Sequence, residues 1–205
     1  MKLLHGGLSP FVRKVMIVAH EKGLVERLEL VPAPVNPLQP LELAIAINPL
    51  GKIPALTVED GTVLYGSTVI AEYLDAFDGA PIFFPADAAK WTALQRNALG
   101  DGLLEAGQSA RIEGLRPEDK QWADWKRLQL LKVTNGLDAA EKDATRLATD
   151  RLTIGEVSLI SALGWFDVRL LEAANWREGR PNLAAWFEKV SGKASVAATA
   201  PKVPK

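Results

Sequence analysis

"GKIPALTVEDGTVLYGSTVIAEYL", residues 51–74, holds two short apolar runs of period two and then a change of period. "PALTV" and "TVLY" read as strands flanking "EDG", where the Asp60-Gly61 pair is a hairpin-turn signal. Ile70, Tyr73, Leu74 and Phe77 then fall at i, i+3, i+4, i+7, the spacing of a helix buried on one face, and Ser67 is placed to cap its start.

Upstream, residues 2–5, "KLLH", form a short strand, and Val12, Val15, Met16 and Ala19 give a helix one buried stripe. Residues 26–31, "ERLELV", alternate and stop at Pro32 as a second strand. "PAPVNPLQP", residues 32–40, is loop because its prolines forbid regular structure, and a short helix over 41–47 ends before Pro49. The order strand, helix, strand, helix, strand, strand, helix is that of a thioredoxin-like α/β domain, which we assign to residues 1–78.

Beyond it the pattern changes. "DGAPIFFPAD", residues 78–87, carries two prolines and no periodicity, so 79–87 reads as a linker. No strand pattern follows, and residues 88–205 read as an all-helical domain. A first helix covers about 88–112, and a second about 118–147 with Trp122, Trp125 and Gln129 on one side. A third starts at a capping box of Thr153 and Glu156, with Leu152 and Val157 as its hydrophobic staple. Its buried face is Val157, Ile160, Ser161, Gly164 and Val168, while Trp165 and Trp176 read as packing residues. A fourth, after Pro181, carries Leu183, Trp186, Phe187 and Val190. The small-residue tail from Ala194 reads as frayed.

Composition limits the chemistry. With 24 Lys plus Arg against 25 Asp plus Glu in 205 residues, there is no basic stripe for nucleic acid and no polybasic membrane patch. No apolar run approaches a membrane span, and glycines interrupt the N-terminus before a signal core forms, so a cytoplasmic location is expected. The absence of cysteine removes disulfides, thiolate metal sites and a cysteine nucleophile. His5 and His20 lack the spacing of a metal pair and read as structural, so no metal is expected.

Ser9 precedes Pro10 at the start of the first helix. Locally, this is a helix cap followed by proline at the first helical position. The same place also suits an anion, because free amides and the helix dipole converge there.

The combination of "SPFVRKV" after strand one, "NPLGKIPAL" before strand three and "GSTVIAEYL" after strand four resembles the cytosolic glutathione S-transferases over nearly the whole chain. It looks most like their bacterial serine-type members, which also share Asp101-Gly102 in the first long helix and an "RPNL" stretch, here Arg180 to Leu183. The resemblance implies glutathione as co-substrate with no cofactor, a small apolar electrophile as partner, and a homodimer pairing the thioredoxin-like domain of one subunit with the helical domain of the other. It maps Ser9 onto the catalytic serine. Tyr65 and Tyr73, the only tyrosines, lie too late to replace it.

The resemblance further implies that Pro54 is a cis-proline, with Ile53 binding glutathione through its main chain, and that Phe11 adjoins the site. Gly66-Ser67 takes the place of an acidic or amide residue followed by serine, so Ser67 can receive the γ-glutamyl carboxylate while the side chain at 66 is missing. That departure keeps open a second function, a catalytically weak glutathione-fold binding or regulatory protein. By analogy, Leu8, Phe11, Asp101, Leu104 and Glu105 line the electrophile site. Taken alone, Asp101 and Glu105 read as charges on a solvated helix face.

The chemistry expected of Ser9 has a definite size. A free thiol with a pKa near ~8.5 is only a few per cent ionised at neutral pH, and lowering it by about two units takes roughly 2.7 kcal/mol of anion stabilisation. A hydroxyl hydrogen bond and the helix start together can supply that.

Overall fold

The structure is a computed structural model and describes residues 1–202 except 37, 40 and 174. Four strands, β1 (Lys2–His5), β2 (Glu29–Pro32), β3 (Ala55–Thr57) and β4 (Val63–Tyr65), form one sheet in the order β2-β1-β3-β4. The β1–β2 pair is parallel, with Leu3 opposite Leu30, and β3 runs antiparallel to both β1 and β4, placing Leu56 opposite Leu3 and Leu64. Because side chains alternate along a strand, Leu3 and Leu56 point to one face and Leu4 and Ala55 to the other. The first face packs on α1 (Pro10–Glu21) and α3 (Ser67–Ala76), through Val12, Val15, Ile70 and Leu74. Against the second lies α2 (Glu42–Ile47), where Ala44 and Ala33 complete a small cluster with Leu4 and Ala55.

The helical half comprises α4 (Ala89–Glu113), α5 (Ala123–Asp143), α6 (Ile154–Arg169), α7 (Pro181–Ser191) and α8 (Ala194–Ala198). Every residue of α6 from Ile154 to Phe166 is buried, so this helix runs through the centre of the molecule. Its capping box forms as expected: Thr153 Oγ1 accepts the Gly155 N–H at 3.3 Å, and the Glu156 carboxylate accepts the Thr153 N–H at 2.8 Å. Thr153→Ala is expected to cost about 1 kcal/mol, read as a lower denaturant midpoint with an unchanged slope.

Several expectations need correction. The second strand begins at Glu29 rather than 26, because residues 25–27 form a 3₁₀ turn, and it includes Pro32. β2 is an edge strand, where a missing N–H is tolerated, and Ala33 resumes bonding to the His5 carbonyl at 2.8 Å. Ser67 is the first residue of α3 and not its cap; that position belongs to Gly66. The second long helix is shorter than 118–147, being flanked by 3₁₀ turns at 118–120 and 144–146. Of its expected stripe only Gln129 is buried, while Trp122 and Trp125 stack on each other in solvent at 6.5 Å.

The tail is not frayed over 194–199. It forms α8, docked on α1 with Val196 1% exposed and Ser195 Oγ donating to Glu21 at 2.5 Å; residues 203–205 lie outside the described residues. The stretch between α3 and α4 is held by Asp75, whose buried carboxylate accepts the N–H groups of Ile82, Phe83 and Phe84 at 2.9, 2.9 and 3.0 Å. Among the described residues no helix is long and apolar enough to cross a membrane.

Candidate functional site

Ser9 occupies the N-cap of α1 in extended conformation, and its Oγ accepts the Val12 N–H at 3.3 Å. The helix-cap reading is therefore correct, yet it leaves the hydroxyl proton free. A serine hydroxyl has one donor and two acceptor lone pairs, and the cap occupies only an acceptor. Ser9 N–H bonds to the Gly6 carbonyl at 2.9 Å, and proline at 10 has no N–H, so the first turn presents the Phe11 N–H and the Ser9 O–H to solvent-side ligands.

The turn at residues 6–9 lies against the loop before β3. A Cβ at Gly6 would sit 2.6 Å from Ile53 Cδ1, so a side chain at residue 6 would make Ile53 shift. The Ile53–Pro54 peptide bond is cis, as the resemblance implies. Asn48, unremarked in the sequence, braces this loop: nearly fully buried, it donates through Nδ2 to the Lys52 carbonyl at 2.9 Å and accepts the Leu50 N–H at 3.0 Å. Among the described residues the Ile53 N–H and C=O have no backbone partner, leaving a free strand-like edge.

Gly66 has φ 92° and ψ 119°, a left-handed region that costs residues with a Cβ about 1–3 kcal/mol. Glycine at 66 thus relieves strain, a reason the sequence alone hides. The buried Ser67 follows at the first position of α3.

The largest feature missed in the sequence is Lys14. Its side chain is fully buried, and Nζ donates to Asp101 Oδ1 at 2.5 Å, Asn97 Oδ1 at 3.0 Å and Thr68 Oγ1 at 3.4 Å. Ser158 Oγ adds a bond to Asn97 at 2.6 Å. One ammonium thereby joins α1, which carries Ser9, to the first turn of α3 and to α4. Burial pushes the Lys14 pKa down, partly opposed by Asp101 and Glu105. The available sequence signal is that Lys14 shares its side of α1 with the apolar Ile17 and Val18 at i+3 and i+4, opposite the stripe of Val12, Val15, Met16 and Ala19.

These contacts revise the electrophile residues. Asp101 is neither a solvated charge nor a free wall of a cleft, since its carboxylate is committed to Lys14 and Thr68. Leu104 is fully buried in the core and cannot line an open site. Leu8 and Phe11 are half-buried beside Ser9, and Glu105 is exposed. Two surface hollows lie elsewhere on the helical half: one of about 410 Å³ is bounded by Trp122, Lys126 and Leu130, and one of about 260 Å³ by Val133, Leu137 and Trp176. Neither includes any of these site residues.

A thioredoxin-like domain with a four-stranded mixed sheet, followed by a helical domain, is the glutathione-transferase class of fold. Residues 8–76 match the glutathione S-transferase N-terminal domain family and residues 123–189 the C-terminal domain family. The GST-like protein YibF of Escherichia coli K12 is 33% identical over 206 residues, covering 98% of each chain. A glutathione transferase family member of Pseudomonas fluorescens Pf-5, solved with bound glutathione, superposes with a TM-score of 0.93 at 39% identity, covering 98% of this chain and 99% of that one. One from Methylobacillus flagellatus KT with glutathione bound gives 0.86 at 34% identity, covering 98% and 99%. The chain belongs to the glutathione S-transferase family.

Proposed function

We propose that the protein is a serine-type glutathione transferase: it binds reduced glutathione, holds the sulfur as thiolate through the Ser9 hydroxyl and the first turn of α1, and adds it to a small apolar electrophile. The observation that carries this reading is the unspent Ser9 proton at a helix start, next to the free main-chain edge of Ile53. Glutathione in the solved relatives, at 39% and 34% identity, supports the same ligand here. In this arrangement the cysteinyl part of glutathione pairs with Ile53, and the γ-glutamyl carboxylate meets the amide and hydroxyl of Ser67 at the start of α3. The electrophile then approaches past Leu8 and Phe11. Calorimetric titration with glutathione, followed by turnover of aryl halides, epoxides and organic peroxides, tests the reading. Binding without turnover of any of them would favour the weak-binder alternative that Gly66 keeps open.

Exposed apolar side chains support a two-fold dimer. Tyr65 and Val69 on the N-terminal domain and Trp91, which is 72% exposed, on α4 are unusually open for their types. Light scattering at micromolar concentration reads this directly.

The strain at Gly66 makes a two-variant test necessary. Gly66→Ala and Gly66→Glu are both expected to lower stability of the free protein by about 1–3 kcal/mol, since each puts a Cβ at positive φ. Only the glutamate should tighten glutathione, by about 1–2 kcal/mol through a charge-assisted bond to the γ-glutamyl amine. Equal affinity in the two variants would mean another residue holds that amine.

A further inference from the structure

Arg13 stands one turn along α1 from Ser9, its N–H bonded to the Ser9 carbonyl at 3.0 Å. Its side chain leaves solvent and ends between α6 and α8, where Nη1 donates to the Ile160 carbonyl at 3.1 Å and Nη2 to the Val196 carbonyl at 3.3 Å. Nε is the single buried side-chain nitrogen or oxygen without a partner among the described residues. Residue 164 is glycine where a Cβ would fall on the guanidinium, so α6 is shaped around this cation.

No carboxylate among the described residues lies within ion-pair distance of Arg13. The other charged groups around α1 are accounted for: Lys14 is paired with Asp101, Lys22 with Asp78, and Glu21 accepts from Ser195. On α6, Asp167 acts on Arg13 only at a distance and is itself held by Arg177 at 2.6 and 2.9 Å and by Trp176 Nε1 at 2.8 Å. Glu105 on α4 is solvated, and burial lowers the pKa of His5 at the end of β1, favouring its neutral form. Burial pushes the Arg13 pKa down to about 10, which leaves it fully charged at neutral pH. A buried cation balanced at close range only by carbonyl dipoles is costly, and a neutral donor would tie the same carbonyls at less cost. A buried charge is screened by salt much less than an exposed one, and this one is carried on the helix that starts at Ser9.

We propose that Arg13 is the fixed positive charge that keeps the sulfur bound at Ser9 in its thiolate form, an inference that rests on the transferase reading above. Arg13 touches neither sulfur nor electrophile; it acts through space across one helical turn. The test compares full-length wild type, Arg13→Lys and Arg13→Gln by ultraviolet titration of the thiolate of bound glutathione. Both substitutions disturb the tie to α6 and α8, and only glutamine removes the charge. In general, a unit charge about 10 Å from a thiol in an effective dielectric near 20 moves its pKa by about one unit. Glutamine is therefore expected to raise the bound thiol pKa by about one unit, and lysine to stay within a few tenths of wild type. Equal shifts in the two variants, or none in either, would overturn the proposal, and so would failure of both to fold, which confines Arg13 to holding α8. A wild-type thiol with an ordinary pKa, or no glutathione binding, would instead remove the transferase reading and this inference with it.

Discussion

Ser9→Ala is expected to slow conjugation by about ten- to a thousand-fold and to raise the apparent pKa of bound glutathione, while affinity changes by less than about threefold. The asymmetry follows from the site. Glutathione is held at its peptide edge and its γ-glutamyl end by groups the substitution leaves in place, whereas the hydroxyl proton meets only the sulfur. Because Ser9 Oγ also accepts the Val12 N–H, alanine additionally removes a cap worth about 1 kcal/mol. Ser9→Gly separates the two roles, since glycine at the cap costs only about a few tenths of a kcal/mol and leaves no side-chain donor. Its stability should return toward wild type with the activity still lost. A thiol titration curve in Ser9→Ala that overlays the wild type would leave Ser9 as a cap and nothing more.

The parts of this molecule readable from sequence are those with a local cause. Alternation, helical spacing, a capping box and an Asp-Gly turn each act within a few residues, and β1, α1, β3, β4, α3 and the start of α6 are where those signals put them. The Ser9 cap and the cis bond before Pro54 are legible because they sit in short motifs at element junctions. What stayed hidden depends on contacts distant in sequence. Lys14 meets Asp101 across 87 positions and Arg13 meets Val196 across 183, so the partners that receive each buried charge lie far outside any local pattern. Asp101 was misjudged for the same reason. The tail was misjudged because its small residues carry no apolar bulk, and only the docking surface of α1 gives α8 something to bury against. At Gly66 the absent side chain is visible in the sequence, while the backbone φ of 92° that favours glycine there is a property of the folded chain.

Lys14→Met should be the most damaging single change to stability, costing about 3–5 kcal/mol out of a total that for a domain of ordinary size is about 5–15 kcal/mol. Methionine fills the space of the buried lysine stem but donates nothing. Asp101 then keeps a charge with 21% of its side chain exposed and no cation beside it, and Asn97 and Thr68 lose a donor in the seam between the two domains. The loss measures what is left unpaired, and not the net worth of the ion pair, so Lys14→Met with Asp101→Leu should recover much of it. The pH dependence carries a sign that checks the burial argument. Burial holds the folded pKa of Lys14 below its ordinary value of 10.5, so between the two the unfolded chain binds more protons. Stability of the wild type therefore gains a contribution as pH rises through that window, absent below it, and Lys14→Met lacks this gain. A loss under about 1 kcal/mol in the single variant, or matching pH profiles in variant and wild type, would show that water reaches the ammonium. The link from Ser9's helix to the first turn of α3 would then lie in apolar packing alone.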